Sequence, residues 1–124
     1  IVIDYIQRVR GQGKEYEVIT NAARELQTYA RQTGKAMIIC SQANRASEGD
    51  AKKDTMAIRG KGSGSIEEDA DVGLSLMEEY EGDRKYILAT LFKNRYGALK
   101  NITYKYSYDD RLNLVLQEKG YSGG

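Results

Sequence analysis

The apolar positions along the chain change their period several times, and each change marks an element. Ile1-Val2-Ile3 is apolar without alternation and ends on Asp4, the pattern of a short strand covered on both faces inside a parallel sheet. Gly11-Gln12-Gly13 then interrupts the chain. From about Glu15, residues Val18, Ile19, Ala22, Ala23, Leu26, Tyr29 and Ala30 recur at helical spacing as far as Thr33-Gly34, where a glycine suits a left-handed C-cap. Ala36-Met37-Ile38-Ile39-Cys40-Ser41 predicts a second buried strand, with Cys40 as a small core residue. A strand, a helix and a strand in that order predict a right-handed crossover and a parallel pair.

Residues 42–62 carry no apolar period and are rich in Gly, Ser, Asn and charge, which predicts a long loop; loops of that length inside a domain are functional or disordered. Ser65 is placed to N-cap a short helix whose first turn holds Glu67 to Asp69. Val72 to Met77 reads as a third strand, and residues 85–92, 101–107 and 112–116, rich in Ile, Leu, Thr, Tyr and Val, as three more. Asn94-Arg95-Tyr96-Gly97 and Tyr108-Asp109-Asp110-Arg111 supply turns whose shortness implies antiparallel pairing. The expected fold class is therefore α/β, with parallel strands first and an antiparallel edge at the C-terminal side. Residues 1–119 are expected to form part of one domain, with 120–124 as a glycine-rich flexible tail. The chain opens directly in an apolar run without an initiator methionine, so it reads as starting inside a domain.

Composition narrows the chemistry. With 124 residues and 40% hydrophobic content the chain can bury one modest core. No apolar run approaches the ~18 residues of a membrane span and no signal-peptide pattern opens the chain, so a soluble, cytosolic protein without a membrane partner is expected. There is no histidine, and Cys40 is the one cysteine, which excludes Ser-His and Cys-His catalysis, histidine-ligated zinc and an internal disulfide. Net charge is +1, but the charges are blocked: residues 67–83 hold eight acids and no base, and residues 84–105 hold six bases and no acid. The basic block predicts either a projecting basic face or a lysine-blunted sheet edge.

Asp4 and Gln42 each follow a predicted parallel strand, so both fall at the carboxyl edge of the sheet, where ligands bind in open α/β folds. An aspartate there suits holding magnesium, or capping a turn; a glutamine one strand away suits sensing a terminal phosphate, or serves as a surface amide. Lys93 and Arg95 flank a strand end and could clamp phosphate oxygens. Ser63-Gly64-Ser65 offers backbone N–H groups to an anion, or caps a helix. A G-x-x-x-x-G-K-[ST] loop is absent, because Gly13-Lys14 is followed by Glu15 and Gly60-Lys61 by Gly62. The ten tyrosines are explained by cross-strand packing, while exposed ones near the basic block could stack on single-stranded DNA.

Taken in order, Ile1-Val2-Ile3-Asp4-Tyr5-Ile6-Gln7, Ser41-Gln42-Ala43-Asn44-Arg45, Gly62-Ser63-Gly64-Ser65-Ile66-Glu67-Glu68-Asp69-Ala70-Asp71 and Lys93-Asn94-Arg95-Tyr96-Gly97 resemble the C-terminal, RecA-like motor domain of DnaB-type replicative helicases over about residues 1–107. The resemblance implies a P-loop NTPase core fragment whose Asp4 is the Walker B aspartate, holding Mg2+ beside ATP, and whose Gln42 couples nucleotide state to DNA-binding loops. It implies that Lys93 and Arg95 reach into the ATP site of a neighbouring subunit, and so a homo-hexamer. It further implies that Lys14, Arg45, Lys52, Lys53 and Lys61 lie in or near loops that grip single-stranded DNA, and it leaves room for primase and a helicase loader as partners. The family's Walker A lysine and threonine and its water-activating glutamate have no counterpart in this sequence, so the fragment alone is expected to be inactive, although its parent hydrolyses ATP. Lys61 stands where the family usually has arginine. Lys93-Asn94-Arg95-Tyr96-Gly97 is also similar to a motif of RadA-type ATPases, which leaves a RadA- or KaiC-like ATPase, or a non-enzymatic DNA-binding module of the same fold, as alternatives.

Overall fold

A computed structural model describes residues 1–42, 63–98 and 101–120, arranged as two compact units, Ile1–Ala70 and Asp71–Gly124. In the first unit, β1 (Val2–Ile3) pairs in parallel with β2 (Ile38–Ile39), Val2 opposite Ile38 and Ile3 opposite Ile39. Between them run a single 3-10 turn, Ile6–Arg8, and helix α1 (Glu15–Thr33). The helix stops where expected, at Gly34, whose φ of 65° is cheap only for glycine. Ile19 and Ala23 on its buried stripe close over Ile6, and Leu26, Ile39 and Ile66 pack around them. Ile66 belongs to α2 (Ser63–Asp69), which is tied to α1 by the Gln27 amide donating to the Asp69 carbonyl at 2.6 Å.

Three expectations for this unit are corrected. The strands are not covered on both faces: Val2 and Ile38 are exposed, and Ile3 and Ile39 are half-buried, because α1 and its core cover one side of a two-stranded pair. Cys40 is exposed rather than core, since it follows the last paired residue of β2, where only its backbone is held. Helix α2 begins at Ser63, so Ser65 lies within it instead of capping it. Apart from Gln42, the segment 42–62 falls outside the described residues, as do 99–100 and 121–124.

The second unit is an antiparallel meander, β3 (Val72–Glu81), β4 (Arg84–Asn94), β5 (Ile102–Tyr108) and β6 (Leu114–Lys119), in that spatial order. Strand β3 runs four residues past the expected Met77, because Glu78 to Glu81 extend it through charge into a two-residue turn at Gly82-Asp83. The acidic and basic blocks face each other in this hairpin. Lys85 pairs with Glu78, and Lys105 of β5 reaches Glu79 at 3.1 Å as well as Glu81. The expected projecting basic face is therefore corrected: Lys85, Arg95 and Lys105 meet acids of this same unit. Lys105 is buried, with its ammonium 4.2 Å from the Tyr86 ring centroid. Glu81 foremost, together with Glu79, raises its pKa against the opposing effect of burial.

Strand β6 starts at Leu114 rather than 112. The Asp109 carboxylate accepts the backbone N–H groups of Arg111 and Asn113 at 2.9 and 2.8 Å and the Asn113 amide at 3.1 Å, holding the turn open as far as Asn113. Among the described residues, no helix is long and apolar enough to cross a membrane.

Two outcomes are expected. Ile19→Ala removes one of the two fully buried large side chains among the described residues and should lower unfolding free energy by about 2–5 kcal/mol in urea denaturation. The Asn113 amide and backbone hold the Asp109 pKa below its ordinary value, so Asp109 stabilises the fold above pH ~4 and that contribution is lost as pH falls through its folded-state pKa. Thermal melts between pH 6 and pH 3 should fall less steeply for Asp109→Asn than for the native chain.

Candidate functional site

The parallel pair fixes the first part of the site. Its ladder runs from the Ile38 N–H to the Ile1 carbonyl at 2.8 Å, from the Cys40 N–H to the Ile3 carbonyl at 2.9 Å, and from the Ile6 N–H to the Cys40 carbonyl at 3.0 Å. The ladder ends with Ile3 opposite Ile39, so Asp4 and Cys40 are the residues that follow the two strands at their carboxyl ends. Gln42 follows two residues later on the same edge. Both Asp4 and Gln42 are exposed, as residues that meet a ligand must be. The two candidates thus fall on neighbouring segments.

The sequence reading missed Gln7. Its side-chain amide donates to the Ser41 hydroxyl at 2.8 Å and to the Gln42 carbonyl at 3.1 Å, and its oxygen accepts the Gln42 N–H at 3.2 Å. The signal available in the sequence was a glutamine three residues after Asp4, on the same segment.

The second unit positions Lys93 and Arg95. Strand β4 carries a bulge against β3: Leu74 faces Leu91 and Gly73 faces Lys93, which leaves Phe92 as the extra residue. The Phe92 ring lies over Gly73, where a Cβ would fall on it. Lys93 follows this bulge inside β4, half-buried, and Arg95 emerges just beyond the strand end. The Arg95 backbone N–H donates to the Asp71 carbonyl at 2.8 Å, and its guanidinium meets the Asp71 carboxylate at 2.7 Å. Asp71, which closes the acid-rich stretch before β3, was also missed. At Gly97 an added Cβ would meet the Asn94 side-chain amide.

Lys14 is exposed and immediately precedes α1, with its backbone N–H directed at the Glu17 carboxylate at 3.4 Å. Arg45, Lys52, Lys53 and Lys61 lie outside the described residues. Among the described residues no three His, Cys, Asp or Glu side chains gather to hold a metal. A single exposed carboxylate at a strand end still fits Mg2+ bound with a nucleotide, because magnesium keeps several waters and takes phosphate oxygens beside one or two carboxylates.

A parallel pair joined through a helix, followed in the chain by an antiparallel meander, agrees with the α/β class of a RecA-like fold. Residues 1–111 match the family described as DnaB-like helicase C terminal domain, and the chain belongs to that family. It is 30% identical over 92% of its length to the "Replicative DNA helicase DnaC" of Bacillus subtilis (strain 168). It is 37% identical over 58% of its length to the "Replicative DNA helicase DnaB" of Geobacillus stearothermophilus. The chain spans 28% of the first relative's length, and its match covers 17% of the second's.

The Asp71–Arg95 pair is partly solvent-exposed, 45% and 38% respectively, so its net contribution to stability is small. Asp71→Ala should change unfolding free energy by less than about 1 kcal/mol, and high salt should shrink the difference. Denaturant titrations at two salt concentrations check this.

Proposed function

We propose that this chain is the C-terminal part of the motor domain of a hexameric, ATP-dependent replicative DNA helicase, one that unwinds duplex DNA by moving along single-stranded DNA. The observation that carries the reading is the parallel pairing that brings the Asp4 and Gln42 segments to one sheet edge. In this reading Asp4 holds Mg2+ on ATP, and the bound ion neutralises charge on the phosphates. Gln42 senses the terminal phosphate and passes its state to the segment that follows, which carries Arg45, Lys52, Lys53 and Lys61 toward DNA. Lys14 adds a further backbone contact.

Lys93 and Arg95 serve the ATP site of an adjoining subunit, where two cations offset the charge on the phosphoryl group in transfer. The exposed position of Arg95 supports this role, and its ion pair with Asp71 is weak enough to exchange a carboxylate for a phosphate. Primase and a loader remain candidate partners of the full-length protein. The isolated chain is expected to show no ATPase activity.

Two experiments test the proposal. In the full-length protein carrying this segment, Arg95→Ala should still bind ATP but hydrolyse it ~10³-fold or more slowly. Mixing it with a variant defective in nucleotide binding should restore part of the activity; absence of any recovery contradicts action across subunits. Affinity for single-stranded DNA should fall steeply with salt and depend little on base order. Binding that is insensitive to salt contradicts backbone recognition by these cations.

A further inference from the structure

We propose that Gln7 is a positioning residue for Gln42, its side chain standing in for the strand that β1 no longer provides; the proposal rests on the reading of Gln42 as the nucleotide sensor. On the β2 side, alternate backbone N–H groups donate across the pair: Ile38 to the Ile1 carbonyl, Cys40 to the Ile3 carbonyl, and Gln42 to the Gln7 side-chain oxygen at 3.2 Å. The returning bonds follow the same order, with the Cys40 carbonyl accepting from the Ile6 N–H and the Gln42 carbonyl from the Gln7 side-chain nitrogen at 3.1 Å. After Asp4 the first segment leaves the sheet for the 3-10 turn at Ile6–Arg8, so its backbone has no further rung to offer. A primary amide carries the same donor and acceptor as a peptide unit, and Gln7 supplies both to residue 42. The Gln42 N–H can only donate and its carbonyl only accept, which fixes which way the amide faces, and the Gln7 nitrogen also donates to the Ser41 hydroxyl at 2.8 Å.

The consequence is a direct mechanical link. Gln7 lies three residues after Asp4, and through it any displacement of the Asp4 segment is imposed on the backbone of Gln42 at the start of the stretch leading to Arg45. Without that link Gln42 leaves β2 as a free strand end. Sensing and DNA response should then uncouple, even where both groups are intact.

The test compares ATP hydrolysis with and without a single-stranded oligothymidine in the full-length protein carrying this segment, for Gln42→Ala, Gln7→Ala and Gln7→Glu. Gln42→Ala should abolish DNA stimulation; full stimulation in that variant overturns the sensor reading, and this proposal with it. Gln7→Ala should lower DNA-stimulated kcat about tenfold, the loss expected from two hydrogen bonds, while the KM for ATP moves less than about threefold. Gln7→Glu discriminates a positioning role from general stability and guards against a poorly folded alanine variant. A protonated carboxyl reproduces both bonds to Gln42, whereas a carboxylate cannot donate and faces a carbonyl oxygen. Its DNA stimulation, relative to the native protein, should therefore be low at pH 8 and recover toward pH 5.5. Native stimulation in Gln7→Ala, or a pH-independent ratio in Gln7→Glu, with Gln42→Ala impaired, overturns the role of Gln7 and leaves the sensor reading standing.

Discussion

Everything at the candidate nucleotide edge depends on the parallel pairing of two very short strands. A parallel ladder needs a crossover, and here the crossover is α1, whose Ile19 and Ala23 close over Ile6 and hold the returning chain in register. That register ends both strands together, so Asp4 and Gln42 follow them at the same edge. Two-residue strands have few backbone bonds to defend their alignment, which is why the Gln7 side chain matters: it lengthens the ladder by one rung where the backbone has turned away.

The second unit is organised by charge. The sequence separates acids from bases along the chain, and the β3–β4 hairpin folds the two blocks onto each other, so a polarised stretch becomes a set of cross-strand pairs. Lys105 is the most buried of these cations, held between Glu79, Glu81 and the Tyr86 ring. Arg95 differs in kind. It sits past the strand end, beyond a bulge that re-aims the chain, and the Asp71 carboxylate that it meets is partly exposed. Such a partly exposed pair encloses its cation less than the surroundings of Lys105 do.

The helix α1, its glycine cap, the parallel pair and the antiparallel order of the C-terminal strands were legible in the sequence because each follows from local period and turn chemistry. Burial was not. Val2, Ile38 and Cys40 carry the apolar signature of a sheet interior, but burial is decided by what lies on the other face, and a sequence pattern reports only suitability. The ends of β3 and β6 were missed because Glu78 to Glu81 are stabilised by partners on another strand and because Asp109 extends its turn through side-chain hydrogen bonds. Asp4, Gln42, Lys93 and Arg95 stood out as candidates within ordered motifs. Gln7 and Asp71 close two of the same motifs but did not stand out, since their significance is a contact with another segment.

The proposed role of Asp4 and Gln42 requires both to act on one nucleotide, and a double-mutant cycle measures that directly. In the full-length protein, kcat/KM for ATP would be determined for Asp4→Asn, Gln42→Ala and the pair together. A shared site predicts a coupling of about 1 kcal/mol or more between the two substitutions. Effects that add to within about 0.5 kcal/mol would mean that the two residues serve separate sites, and would contradict it.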